Sequence, residues 1–301
     1  MNKLSDKKHI LVTGSHRSGS TWIGKVLSAS DHVSYVHEPF NIQVYPHSPV
    51  RCWFEYLSTE DQSKQPVKIR RFIQKLLKND LQGLPSEILK KGTINDAKGL
   101  IKQRLSRLRA DRRVIKDPIA LMSAEWVSKH FTPYVIITIR HPAAFAASLK
   151  VKDWTFDFHH FVSQQQLLSR YLRPYQEQII AYAEHPPNII AQACLLWNCV
   201  HHVILKYRET HADWLFVRHE DLSLQPESEF TRIFTYLQLP FDQQVQDYLQ
   251  ESVQVVKSTG QNLTAKENIT NWKNRLTHEE IHLIRQSTRE VADKFYTNEE
   301  W

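Results

Sequence analysis

The chain has 301 residues, of which 41% are hydrophobic, 11% aromatic and 24% charged, enough for a packed core and unlike a disordered or collagen-like composition. Its formal net charge is +7, and Cys52, Cys194 and Cys199 are too few and too irregular for a disulfide framework or a zinc finger. No run reaches about 18 apolar residues and the polar start "MNKLSDKKHI" has no signal-like apolar stretch, so a cytoplasmic protein without a transmembrane segment is expected.

In chain order, "ILVTG" from Ile10 reads as a buried strand, followed by a helix from Thr21, and "VSYV" from Val33 reads as a second strand. Residues from about 41 to 110 carry helix and loop signals and are expected to form a helical insertion or cap. At its end "KGLIKQRLSRLRADRR", Lys98 to Arg113, spaces Leu100, Ile101, Leu105 and Leu108 helically among seven basic residues. That predicts an amphipathic helix whose cationic face is either solvated or drawn to an anionic ligand or surface. No zinc motif, RNA signature or helix-turn-helix pattern accompanies it, so nucleic acid is not an expected partner.

Further strands are expected at "RVIK" from Arg113, "YVIITIR" from Tyr134 and "WLFVRHEDL" from Trp214, with helices from Ile119, Pro142, Phe158, Asn188 and Pro226. A polar loop from about Val253 precedes a closing helix whose Thr277 and Glu280 have capping-box spacing. The glycosylation patterns at Asn262 and Asn268 read as chance matches in that loop. The alternation predicts an α/β fold, a central parallel sheet flanked by helices, as one domain over residues 1–301.

Between the first strand and helix, "GSHRSGST" has the GxxxxG spacing of a nucleotide-binding loop followed by two hydroxyl residues, but Ser20 stands where the usual lysine would be. Such a turn aims backbone N–H groups and a helix N-terminus at one spot, a site for phosphate or sulfate. Gly14 and Gly19 permit the tight path, Ser15, Ser18, Ser20 and Thr21 add hydroxyls, and Arg17 adds a forked cation.

"RSGSTW", Arg17, Ser18, Gly19, Ser20, Thr21 and Trp22, resembles the phosphosulfate-binding loop of sulfotransferases that use 3′-phosphoadenosine-5′-phosphosulfate (PAPS), releasing the bisphosphate PAP. The resemblance implies a P-loop-like fold in which Arg17 and the hydroxyl residues grip the 5′-phosphosulfate. It also accounts for the missing lysine. "VIITIRHPAAFAASL" is similar to the family's second motif, which implies that Arg140 and Ser148 hold the 3′-phosphate. "VRHEDLSLQP" resembles a segment usually written Tyr-Glu-Asp-Leu, read as mainly structural. "NWKNRL" is similar to the family's C-terminal Trp-Lys stretch, which would make Lys266 a phosphate contact.

Sulfuryl transfer to a hydroxyl-bearing acceptor needs a base and positive charge at the leaving oxygen, with no metal required in principle. In "YVHEPF", Glu38 and His37 are candidate bases; the Glu-Pro pair resembles the carbohydrate branch and favours Glu38. Lys116 in "VIKDP" resembles a catalytic lysine of tyrosylprotein sulfotransferases, or it forms a salt bridge with nearby acids. Two rivals share the loop. A P-loop kinase would want a strand-end Asp for Mg²⁺, for which Asp117 is the near candidate, and a non-catalytic module would hold a sulfated or phosphorylated ligand.

Overall fold

The computed structural model describes residues 8–45, 47–61, 63–78, 110–258 and 269–301. Five strands, β1 (Ile10–Gly14), β2 (Val33–His37), β3 (Arg112–Lys116), β4 (Tyr134–Ile139) and β5 (Leu215–Arg218), form one sheet in the order β2-β3-β1-β4-β5. Every pairing is parallel. After β1 the chain runs to the β2 side and later returns to the β4 side, so the β1 turn sits at the point where the winding reverses, the usual ligand crevice of such sheets.

The strands read as near-continuous apolar runs because both faces are covered. Ile10, Val12, Val33, Val114, Ile136 and Val217 pack on one face against α1 (Ser20–Leu27) and later helices. Leu11, Val36, Ile115, Val135 and Ile137 point to the other face, with much of the remaining core. Of the expected insertion, residues 41–45 and 47–61 are loop and turn and α2 (Lys64–Leu77) is helical; residues 79–109, including most of the basic stretch, lie outside the described residues. The last residues of that stretch are not helical. Arg112 and Arg113 open β3 and are buried, their guanidinium groups spent on the carbonyls of Leu237 and Ala110.

After β3 come a short 3₁₀ turn, α3 (Ala124–Phe131), β4 and α4 (Pro142–Lys152), where Pro142 occupies the first helical position. The helix expected from Phe158 is a broken series of short turns from His159 to Tyr175, leading into α5 (Gln176–Glu184). Helix α6 (Ile189–Thr210), capped by the Asn188 side chain, has the length and composition of a membrane span, but 67% of its most apolar window is buried in the molecule.

Two further expectations need correction. "WLFVRHEDL" is not one strand: β5 ends at Arg218 and α7 (His219–Leu224) follows, because Glu220 turns inward to accept from His141 N–H and the Tyr296 hydroxyl. The polar loop does not start at Val253 either. After α8 (Pro226–Tyr236), α9 (Gln243–Ser258) continues through it, with Val245 and Leu249 buried one helical turn apart. The capping box of α10 (His278–Ala292) forms as expected, Thr277 Oγ1 accepting from Glu280 N–H at 3.2 Å and Glu280 Oε2 from Thr277 N–H at 2.8 Å.

Candidate active site

Ladder bonds carry the strand ends to one edge: Glu38 N–H donates to Lys116 O at 3.0 Å, Asp117 N–H to Val12 O at 2.8 Å and Ser15 N–H to Thr138 O at 2.9 Å. Over that edge lies a cavity of about 1190 Å³. It exceeds the roughly 300–1,000 Å³ of an ordinary small-molecule site and is large enough for two reactants side by side.

The β1–α1 turn forms its floor. Gly14 (φ 128°) and Gly19 (φ 81°) are left-handed; a Cβ on Gly14 would collide with the Thr138 backbone, and one on Gly19 would lie 2.8 Å from His219 Nδ1. No side chain caps α1, which leaves its first N–H groups without a side-chain partner at the end whose Gly19, Ser20 and Thr21 line the cavity. Ser18 does not join them: it is fully buried, its hydroxyl spent on Ser15 O and, at 2.6 Å, on Thr138 Oγ1, where it braces the loop from below.

Arg17 holds a left-handed backbone (φ 64°), its Nε donating to Ser148 Oγ at 2.9 Å. Arg140 Nη1 in turn donates to Arg17 O. Residues expected to hold opposite ends of one nucleotide therefore meet. The Arg140 Nε is buried without a partner, and burial, ahead of any charge, lowers this guanidinium to about 10. Trp22 lines the same side, its Nε1 on Ser252 Oγ at 2.9 Å and its ring edge-on to Phe230. Lys266 lies outside the described residues.

At the other end stands Glu38, just past β2 with φ 41°. Lys116 Nζ donates to its Oε1, and Asn41 Nδ2 to its Oε2 at 2.6 Å. Burial alone would raise the Glu38 carboxyl, but these hydrogen bonds outweigh it and hold the group below its ordinary value. His37 is not one of the residues that line the cavity, and its ring stacks on Tyr35. Asp117 is fully buried and its carboxylate accepts from the N–H groups of Phe40, Ile119 and Ala120, so it is committed to shaping the chain. Among the described residues no three His, Cys, Asp or Glu side chains gather as a metal-binding group.

Sequence reasoning missed two histidines. His16, inside the loop, packs its ring against Phe145 and Phe54, and His219 stands where the Tyr-Glu-Asp-Leu segment has its tyrosine. Both line the cavity and each has a buried Nδ1 without a partner. Burial, more than the neighbouring arginines, pushes them down to about 4 and about 3, so both are neutral near pH 7. Backbone strain gathers here as well. Six described residues other than glycine have left-handed φ, and four of them, Arg17, Glu38, Phe54 and Asp153, line this cavity. Each such conformation costs about 1–2 kcal/mol and is a pointer to function.

The chain is similar to a sulfotransferase domain from the curacin biosynthetic pathway (14% identity, 96% of this chain and 97% of that one, TM-score 0.49). It is also similar to one from the Synechococcus PCC 7002 olefin synthase (16%, 99% and 99%, 0.47) and to mouse sulfotransferase SULT7A1 complexed with PAP (13%, 95% and 84%, 0.47). No curated protein sequence matches this one significantly. The model of the Sulfotransferase family matches residues 9–243, well over half of the chain and the whole sheet with its β1–α1 turn. The chain belongs to the sulfotransferase family and is a transferase enzyme.

Proposed function

We propose that the enzyme moves a sulfuryl group from PAPS to the hydroxyl of an acceptor, with Glu38 as the base. The observation that carries this reading is the position of Glu38: its carboxylate, kept charged by Lys116 and Asn41, lines the same cavity as the anion-binding turn. The residues present fit the donor. Arg17, the α1 N-terminus, Ser20 and Thr21 would hold its 5′-phosphosulfate; Arg140, whose Nε has no protein partner, and Ser148 would hold its 3′-phosphate. Trp22 would offer a flat wall to the adenine ring. The bound donor supplies the sulfuryl group and a phosphate leaving group.

This chain's residues do the rest. Glu38 takes the acceptor proton, and because each carboxylate oxygen carries two lone pairs it accepts from the acceptor while keeping Lys116 and Asn41. Lys116, 2% exposed and paired, acts as the positioning residue that keeps Glu38 ionised. Arg17 and the turn N–H groups are fixed donors toward charge that develops on the transferring group and the leaving phosphate, so no metal is needed. The test is Glu38→Gln, which keeps shape and removes proton acceptance. Sulfate transfer from PAPS should fall by about a hundredfold or more while PAP affinity is retained. A fully active Gln variant would remove Glu38 from the role.

A further inference from the structure

We propose that α2 is a docking surface for an anionic lipid membrane, held there by charge rather than by insertion; this does not rest on the donor reading above. The positive charge of the chain is concentrated in one place. Residues 41–110 hold 14 Lys and Arg against 6 Asp and Glu, a net +8 in a chain whose whole net charge is +7. Within them α2, "KQPVKIRRFIQKLL", carries five cations and no acid.

The helical repeat sorts these charges. At about 100° per residue, Lys64, Lys68, Arg71 and Lys75 fall within about 60° of arc and along about 16 Å of the axis. All four are exposed, while Pro66, Ile69 and Ile73 on the opposite side are buried. Among the described residues no ion pair or hydrogen bond engages any of the four side chains or that of Arg70. The acids before the helix are occupied: Asp61 Oδ1 accepts from Ser63 N–H at 2.7 Å, and Glu55 accepts from Arg51 N–H at 2.6 Å and from Gln65 Nε2 at 2.9 Å.

This row of charge weakens the helix that carries it. Lys64 and Lys68, like Arg71 and Lys75, are like charges four residues apart, and the first two stand at the positive end of the helix dipole. Burial of Ile69 and Ile73 holds α2 in place in spite of them. Charge that works against its own helix points to a partner outside the molecule.

The form of the row selects that partner. It runs along a convex helix face, and no residue of α2 lines the cavity. Three of its four cations are lysines, compact point charges that meet a plane of phosphates without fixed geometry; an acidic peptide held in register would call for forked arginines and a groove. Val67, 44% exposed, stands beside the row and offers an apolar contact at headgroup level. A single-stranded nucleic acid would want aromatic platforms, but Phe72 is engaged edge-on with Tyr45, centroids 5.5 Å apart.

Because the apolar face of α2 is spent on the core, attachment is electrostatic and sensitive to salt. The helix is also fastened to the segment that lines the cavity near Glu38. Gln65 Nε2 donates to Pro49 O at 2.7 Å and Phe72 meets Tyr45, while Asn41, Gln43, Trp53 and Phe54 of the same segment line the cavity. Docking through α2 brings that segment to the membrane surface.

The experiment pellets the full chain with vesicles of phosphatidylcholine alone and of phosphatidylcholine with about 30% phosphatidylglycerol. We expect binding to the anionic vesicles only, lost as NaCl rises from about 0.1 to about 0.5 M. Each cation removed from the row should lower partitioning about fivefold, so Lys68→Gln combined with Arg71→Gln should lower it about 25-fold at an unchanged melting temperature. Arg173→Gln combined with Lys294→Gln removes the same charge from exposed positions elsewhere and should lower it less than about fivefold. No binding to anionic vesicles, equal binding to both kinds, or equal losses in the two double variants would overturn the proposal. Salt-sensitive binding of a single-stranded polynucleotide by an enzyme that ignores the vesicles would overturn it as well and assign the row to nucleic acid.

Discussion

Replacing Lys116 by Met removes one charge from a buried pair and leaves the other. The Lys116 side chain is 2% exposed and that of Glu38 14%. The lysine stem packs on α1, where a Cβ on Gly24 would lie 3.2 Å from Lys116 Cβ and Cγ, so a methionine of similar length keeps most of that contact. Breaking a buried pair by deleting one partner costs about 3–5 kcal/mol. Glu38 keeps Asn41 and some solvent, which places the cost near the lower end, about 3 kcal/mol at neutral pH. In the native enzyme the Glu38 carboxyl titrates below its ordinary 4.5. Its stabilisation is therefore complete above about pH 4.5 and is lost as pH falls through the lower folded value. In the Met variant, burial is opposed chiefly by Asn41, the carboxyl moves up, and the destabilisation fades as Glu38 takes up a proton. Urea midpoints at about pH 7.5 and about pH 5 should show a clear gap between variant and native enzyme that narrows at the lower pH, and the acidic limb of kcat/KM should move upward in the variant. No gap, or one of equal size at both pH values, would refute the reasoning.

Three more outcomes follow from the cavity walls. Gly19→Ala forces a left-handed alanine and a Cβ 2.8 Å from His219 Nδ1, so PAP affinity and melting temperature should both drop; Gly19→Ala combined with His219→Ala should recover the steric part but not the backbone strain, and strictly additive losses would argue against the contact. Arg17→Ala and Ser148→Ala should be coupled in PAP affinity by at least about 0.5 kcal/mol because Arg17 Nε donates to Ser148 Oγ, and independent effects in a double-mutant cycle would separate them. His37→Ala should leave transfer close to native because His37 lies outside the cavity; a large loss of kcat would reopen its candidacy as the base.

Much of this was legible in the sequence because buried parallel strands and capped helices leave strong local signals. Ile10, Val33, Tyr134, Pro142 and Pro226 all stand where an element begins. The errors arose where distant contacts decide local form. Glu220 turns the end of β5 into α7 by accepting from His141 and Tyr296, residues about 80 positions away in either direction, which no local pattern reveals. In the site, Glu38 and Lys116 were both visible as candidates, but their pairing was not, since 77 residues lie between them and parallel strand register brings them together. The aromatic lining of the cavity was hidden for the same reason: Trp53 and Phe54 lie about 100 residues before Trp154 and Phe156. His219 was overlooked because its neighbours Glu220 and Asp221 are occupied structurally, while only the histidine faces the cavity.

The most direct test of the proposed donor is a calorimetric titration of the enzyme with PAP and with 5′-AMP in EDTA. With Arg17, the loop N–H groups and Arg140 as fixed counter-charges, PAP should bind at least about a hundredfold more tightly than 5′-AMP, Mg²⁺ should leave that affinity unchanged, and Arg140→Ala should remove most of the difference. Equal affinity for the two nucleotides, or Mg²⁺-dependent ATP hydrolysis without PAP binding, would contradict the account.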